Sequence, residues 1–77
     1  MRLASAANLL TPAYLTLLDR GYDLRQEGDL LIAARGGDTF MAEDPITLLG
    51  VIAIAEARGE NWQATDKQID EFLVRFG

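Results

Sequence analysis

Ile46-Thr47-Leu48-Leu49-Gly50-Val51-Ile52-Ala53-Ile54-Ala55-Glu56-Ala57 decides how this 77-residue chain folds, because a helix of that composition offers water almost no polar face. A helix apolar all round has to be covered all round. In so short a chain it is either the central core element, enclosed by the other elements, or part of a surface shared with a partner. At about 100° per residue, Leu48, Val51, Ile52 and Ala55 fall on one face. Ile46, Leu49, Ala53 and Ala57, with Gly50, fall on another, and Ile54 lies between them. The second face is rich in small residues and admits close approach of another backbone, from this chain or from a second copy.

The helix begins at Asp44-Pro45: the carboxylate accepts from an orphan amide and suits the positive end of the helix dipole, and proline has no amide to leave unpaired. Thr11-Pro12 repeats that logic and predicts an earlier helix capped by Thr11. Tyr14, Leu17 and Leu18 share one face of it, and Gly21 ends it, with Tyr22 folding back on Leu17. Residues 3 to 10 favour a preceding helical turn.

Between the two helices the period changes to two. Tyr22, Leu24 and Gln26 point one way and Asp23, Arg25 and Glu27 the other. Glu27-Gly28-Asp29 reads as a turn, Leu30 to Arg35 as a central strand, Gly36-Gly37-Asp38 as a second turn and Thr39 to Glu43 as a third strand. Gly59 ends the second helix. Trp62, the only tryptophan, is expected to anchor the loop that follows to the core. Thr65-Asp66-Lys67-Gln68 then matches a capping box, followed by Ile69, Phe72, Leu73 and Phe76 at i, i+3, i+4 and i+7. The expected architecture is one compact α+β domain over residues 1–77: helix, three-stranded antiparallel meander, then two helices packed on one face of the sheet. No longer repeat, low-complexity tract or linker interrupts it.

Composition narrows the functions. There is no cysteine and no histidine, which removes disulfides, thiolate nucleophiles, the commonest transition-metal ligands and the usual proton carrier near neutral pH. No catalytic residue, metal ligand or cofactor site is expected, and the chain is expected not to be an enzyme. The carboxylates Asp23, Glu27, Asp29 and Asp38 read as solvated turns, and Glu43-Asp44 as a helix start. Arg35-Gly36-Gly37-Asp38 lies between strands, so it reads as a hairpin turn rather than a phosphate loop, which feeds a helix. Twelve acidic against seven scattered basic residues give a net charge of -5, which disfavours nucleic acid. The opening residues lack the layout of a signal peptide, and no stretch approaches a membrane span; a cytoplasmic, bacterial-type protein is expected.

By elimination, the expected function is a small acidic protein-protein interaction module, an inhibitor-like or adaptor subunit that meets a partner with a basic surface. Self-association as a homodimer through the second helix belongs to the same class. The alternative is a small-molecule or peptide-binding domain with a pocket between the sheet and the helices, its mark being a large, partly apolar cavity near Trp62 and Phe40. The aromatic residues Tyr14, Tyr22, Phe40, Trp62, Phe72 and Phe76 all fall at expected core positions. The candidate interface residues are Leu48, Val51, Ile52, Ile54, Tyr22, Phe40 and Trp62.

Overall fold

The computed structural model describes residues 1–5 and 8–77. It contains α1 (Leu10–Asp19), β1 (Asp23–Glu27), β2 (Leu30–Arg35), β3 (Asp38–Ala42), α2 (Pro45–Arg58), a single 3-10 turn (Gly59–Asn61) and α3 (Asp66–Phe76). The α+β class and the expected order of elements are both present.

The three strands form an antiparallel sheet in sequential order, with Leu24 and Phe40 flanking Ala33 on the central strand. Both hairpins turn through two residues, with positive φ at the first of them, Gly28 and Gly36. That is the type II′ pattern, whose twist matches the strands and which glycine adopts without a Cβ penalty. The second hairpin is one residue tighter than the sequence suggests, because Asp38 pairs with Arg35 and so belongs to β3.

α1 begins one residue before the expected cap. Leu9 precedes the helix in helical backbone geometry with no side-chain cap, and Thr11 and Pro12 lie within the first turn. Proline is still tolerated there because first-turn amides have no intrahelical acceptor. The helical turn expected over residues 3 to 10 falls partly on residues 6 and 7, outside the described residues; Asn8 and Leu9 are not helical. At the other end, the Tyr22 amide donates to the Leu17 carbonyl at 3.2 Å and the Gly21 amide to the Leu18 carbonyl at 2.9 Å. These two bonds make a Schellman motif, and Tyr22 turns back into the core beside Leu17 as expected.

α2 lies over the sheet. Asp44 caps it, one carboxylate oxygen accepting from the Thr47 amide and the other from the Thr47 hydroxyl, both at 2.8 Å. Those bonds stabilise the charged form, the amide bond most, and hold the Asp44 carboxyl below the usual aspartate range. Leu48 and Ile52 are fully buried against Leu17, Tyr22, Ala33 and Ala42, with Leu24, Leu31, Phe40, Leu49 and Val51 packed around that cluster. On the opposite sheet face only Ile32 is buried, flanked across the ladder by Arg25 and Met41.

Two placements differ from the sequence-based expectation. First, α2 is not enclosed: Ile46, Gly50, Ala53, Ile54 and Ala57 are exposed. Three of these five are glycine or alanine, so that flank is apolar by residue type but carries little apolar area. Second, α3 buries no residue at all. A three-stranded sheet is roughly 14 Å across and packed helices sit about 8–10 Å apart, so α1 and α2 already occupy the covered side. The radius of gyration is 14.5 Å, against about 11.5 Å for a compact domain of this length.

Candidate functional site

α3 is the most locally specified helix in the chain. The Gln68 amide donates to the Thr65 hydroxyl at 3.2 Å while the Thr65 amide donates to the Gln68 side-chain carbonyl at 2.9 Å. That reciprocal box fixes the first turn without help from packing. Ile69, Phe72, Leu73 and Phe76 then fall on one face, exposed by 45%, 60%, 54% and 69%, and the Phe72 and Phe76 rings pack on each other with centroids 5.7 Å apart. Asp66 and Asp70 border one edge of this stripe and Arg75 the other, by their helical spacing. With aromatic side chains offering about 150–250 Å² each, the stripe presents roughly 500 Å² of largely apolar surface. The largest apolar patch on a monomer is commonly about 300–600 Å² and is often functional, and the stripe is of that size.

A second apolar surface lies beside the connection to α3. Phe40 from β3, Val51, Ile54 and Ala55 from α2, and Trp62 line a depression of about 370 Å³. It continues into a more polar one of about 490 Å³ that shares Phe40, Ala55 and Trp62 and adds Tyr22, Arg35, Asp38, Glu56, Gly59 and Glu60. Together they form a trough with an apolar floor and a charged end. Trp62 is half-exposed in its wall; its carbonyl accepts from the Arg58 side chain at 3.1 Å. The expectation that this tryptophan is sunk in the core is therefore corrected. A ring that follows a 3-10 turn at the end of α2 meets only one side of the protein.

The charged end is built around Arg35. One guanidinium nitrogen donates to the Arg20 carbonyl at 2.6 Å, satisfying an orphan carbonyl at the end of α1. The guanidinium carbon lies 4.3 Å from the centre of the Tyr22 ring, a cation–π distance, and Tyr22 meets Phe40 edge to face at 6.3 Å. Sequence reading gave Arg35 no such role, because its partner stands fifteen residues away and no local pattern links them. Arg20 and Glu56 add an exposed ion pair at 3.6 Å between α1 and α2, which contributes little.

Of the seven expected interface residues, Val51, Ile54, Phe40 and Trp62 are brought together in the trough. Leu48, Ile52 and Tyr22 are buried; the first two have no exposed atoms to offer, and Tyr22 contributes only an edge. The exposed apolar residues that sequence reading misses as candidates are Ile69, Phe72, Leu73 and Phe76, whose spacing is legible but whose face is expected in the core. Tyr14, likewise expected inside, is exposed on α1. Among the described residues no three histidine, cysteine, aspartate or glutamate side chains come together as a metal site, and no helix is long and apolar enough to cross a membrane. No protein-family model, curated protein or solved structure matches the chain.

Proposed function

We propose that the chain is a non-catalytic protein-protein interaction module of the cytosol, an adaptor or inhibitor-like subunit whose recognition element is α3. The observation that carries this reading is the uncovered stripe Ile69, Phe72, Leu73 and Phe76 on a helix that buries nothing. Anchors at i, i+3, i+4 and i+7 are the pattern by which an amphipathic helix enters an apolar groove. An isolated helix of eleven residues is only marginally formed in water even when well capped, so the sequence invests in a face that pays off only on contact. The net charge of -5 favours approach to surfaces carrying basic groups and works against nucleic acid.

The test is capture of proteins by the tagged chain and by its Leu73→Asp variant, scored for any protein, a differently tagged copy of the chain included. Association that the wild type makes and the variant loses is the expected result, weakened as salt rises where the captured protein is basic. Identical capture by the two chains, or none by either, would contradict the reading.

A second reading, a peptide or small-molecule binder, is favoured by the trough, which lies where Trp62 and Phe40 were expected to line a cavity. Its volume falls within the roughly 300–1,000 Å³ common for ligand sites. Its open form and apolar floor of Phe40, Val51, Ile54 and Trp62 suit a helix face better than a small molecule.

A further inference from the structure

We infer that the occupant of the trough is α3 of a second copy, so that two chains exchange C-terminal helices in a closed two-fold dimer. This rests on the reading of α3 as a docking helix and names what it docks on. One chain carries two unpartnered apolar surfaces of opposite shape: a convex stripe at Ile69, Phe72, Leu73 and Phe76, and a concave floor at Phe40, Val51, Ile54 and Trp62. α3 does not occupy the trough of its own chain, since none of its residues is buried. Seating each stripe in the partner's trough covers both surfaces at once, and reciprocity closes the assembly rather than extending it into a fibre.

The areas agree. The stripe supplies roughly 500 Å² and the exposed parts of Trp62, Ile54 and their neighbours roughly 300 Å², which together reach the ~800 Å² per partner of a standard stable interface. Small residues on α2 beside the floor, Ala55 above all, leave room for the Phe72 and Phe76 rings. The charged end of the trough carries Arg35 with Asp38, Glu56 and Glu60, and Asp66, Asp70 and Arg75 border the stripe, so carboxylates outnumber cations on both surfaces and the apolar area has to carry the contact. The same docking supplies the tertiary contact that a helix as short as α3 needs to persist.

Light scattering across micromolar concentrations is the experiment, with the wild type expected at twice the 8.5 kDa chain mass. Leu73→Asp in the stripe and Ile54→Asp in the trough are both at exposed positions, so both keep the fold, verified by near-ultraviolet dichroism. Each is expected to weaken association at least about 100-fold by burying an unpaired carboxylate. An equimolar mixture of the two variants retains one wild-type stripe facing one wild-type trough. It is expected to pair measurably more tightly than either variant with itself. If Ile54→Asp disturbs α2, Trp62→Ala serves as the trough variant.

A wild-type chain that stays at 8.5 kDa overturns the dimer while leaving α3 as a docking helix for a different protein. A dimer whose variants show no complementation overturns the exchange in favour of contact between like faces. A dimer that ignores Leu73→Asp overturns both the exchange and the reading on which it rests.

Discussion

α2 and α3 are the two helices that follow the sheet, and they invert each other. α2 is apolar on nearly every side yet buries only a stripe at Leu48 and Ile52, leaving Gly50, Ala53 and Ala57 in water. α3 has a sharply divided face and buries none of it. Helix amphipathicity states which side wants cover, and the size of the available sheet decides which helix receives it. In this chain the less divided helix holds the fold together, and the more divided one is left uncovered.

The largest expected effect separates the two directly. Leu48→Ala or Ile52→Ala should cost about 2–5 kcal/mol by lost burial and cavity formation, a large share of the stability of so small a domain. Phe72→Ala or Leu73→Ala should change the unfolding free energy of the monomer by no more than about 0.5 kcal/mol, as at other free surfaces. Urea unfolding at a dilution that keeps the chain monomeric compares them, and equal losses for both pairs would erase the distinction.

Arg35→Met comes next. It removes both the bond to the Arg20 carbonyl and the contact with the Tyr22 ring, for an expected loss of about 1–2 kcal/mol. Arg35→Lys should restore little of it, because an ammonium lacks the flat face. The loss belongs to the α2 side of the comparison, so it should appear in the unfolding midpoint and leave the helicity of α3 unchanged.

Thr65→Ala acts on the other side. Loss of the capping box should weaken α3 by about 1 kcal/mol, seen as reduced helical dichroism and weaker self-association, with the urea midpoint of the core unmoved. A lowered core midpoint would show that α3 contributes to the fold after all.

The smallest effect concerns acid. The folded-state pKa of Asp44 is depressed by its two bonds to Thr47, so its contribution is fully present above the ordinary aspartate pKa of about 4. It is lost as pH falls through the lower, folded value. Asp44→Asn should flatten that part of the acid-unfolding curve, and an unchanged curve would show the cap to be electrostatically idle.

These differences also explain what the sequence disclosed. The element order was legible because its signals are local: Asp44 before Pro45, Thr65 three residues before Gln68, glycine at the first position of each hairpin turn. The folding of Tyr22 onto Leu17 was legible for the same reason, being fixed by the two bonds that close α1. Thr11 misled because proline fits any position in a first turn, and the neighbouring leucines carried the helix start two residues further back, from Pro12 to Leu10. The candidate site was half legible. Phe40, Val51, Ile54 and Trp62 could be picked out as interface candidates, whereas the bareness of Phe72 and Phe76 depends on how many helices a three-stranded sheet holds. The reach of Arg35 to the Arg20 carbonyl is likewise a fact of assembly and has no local signature.

Hydrogen exchange of the α3 amides as a function of chain concentration tests the central claim most directly. In dilute solution the amides around Leu48 and Ile52 should be protected while those from Ile69 to Phe76 exchange at nearly the rate of an isolated helix. As concentration rises, only the second group should gain protection. Amides in α3 as slow as those in α2 at every dilution would place the last helix in the fold of its own chain and contradict the account.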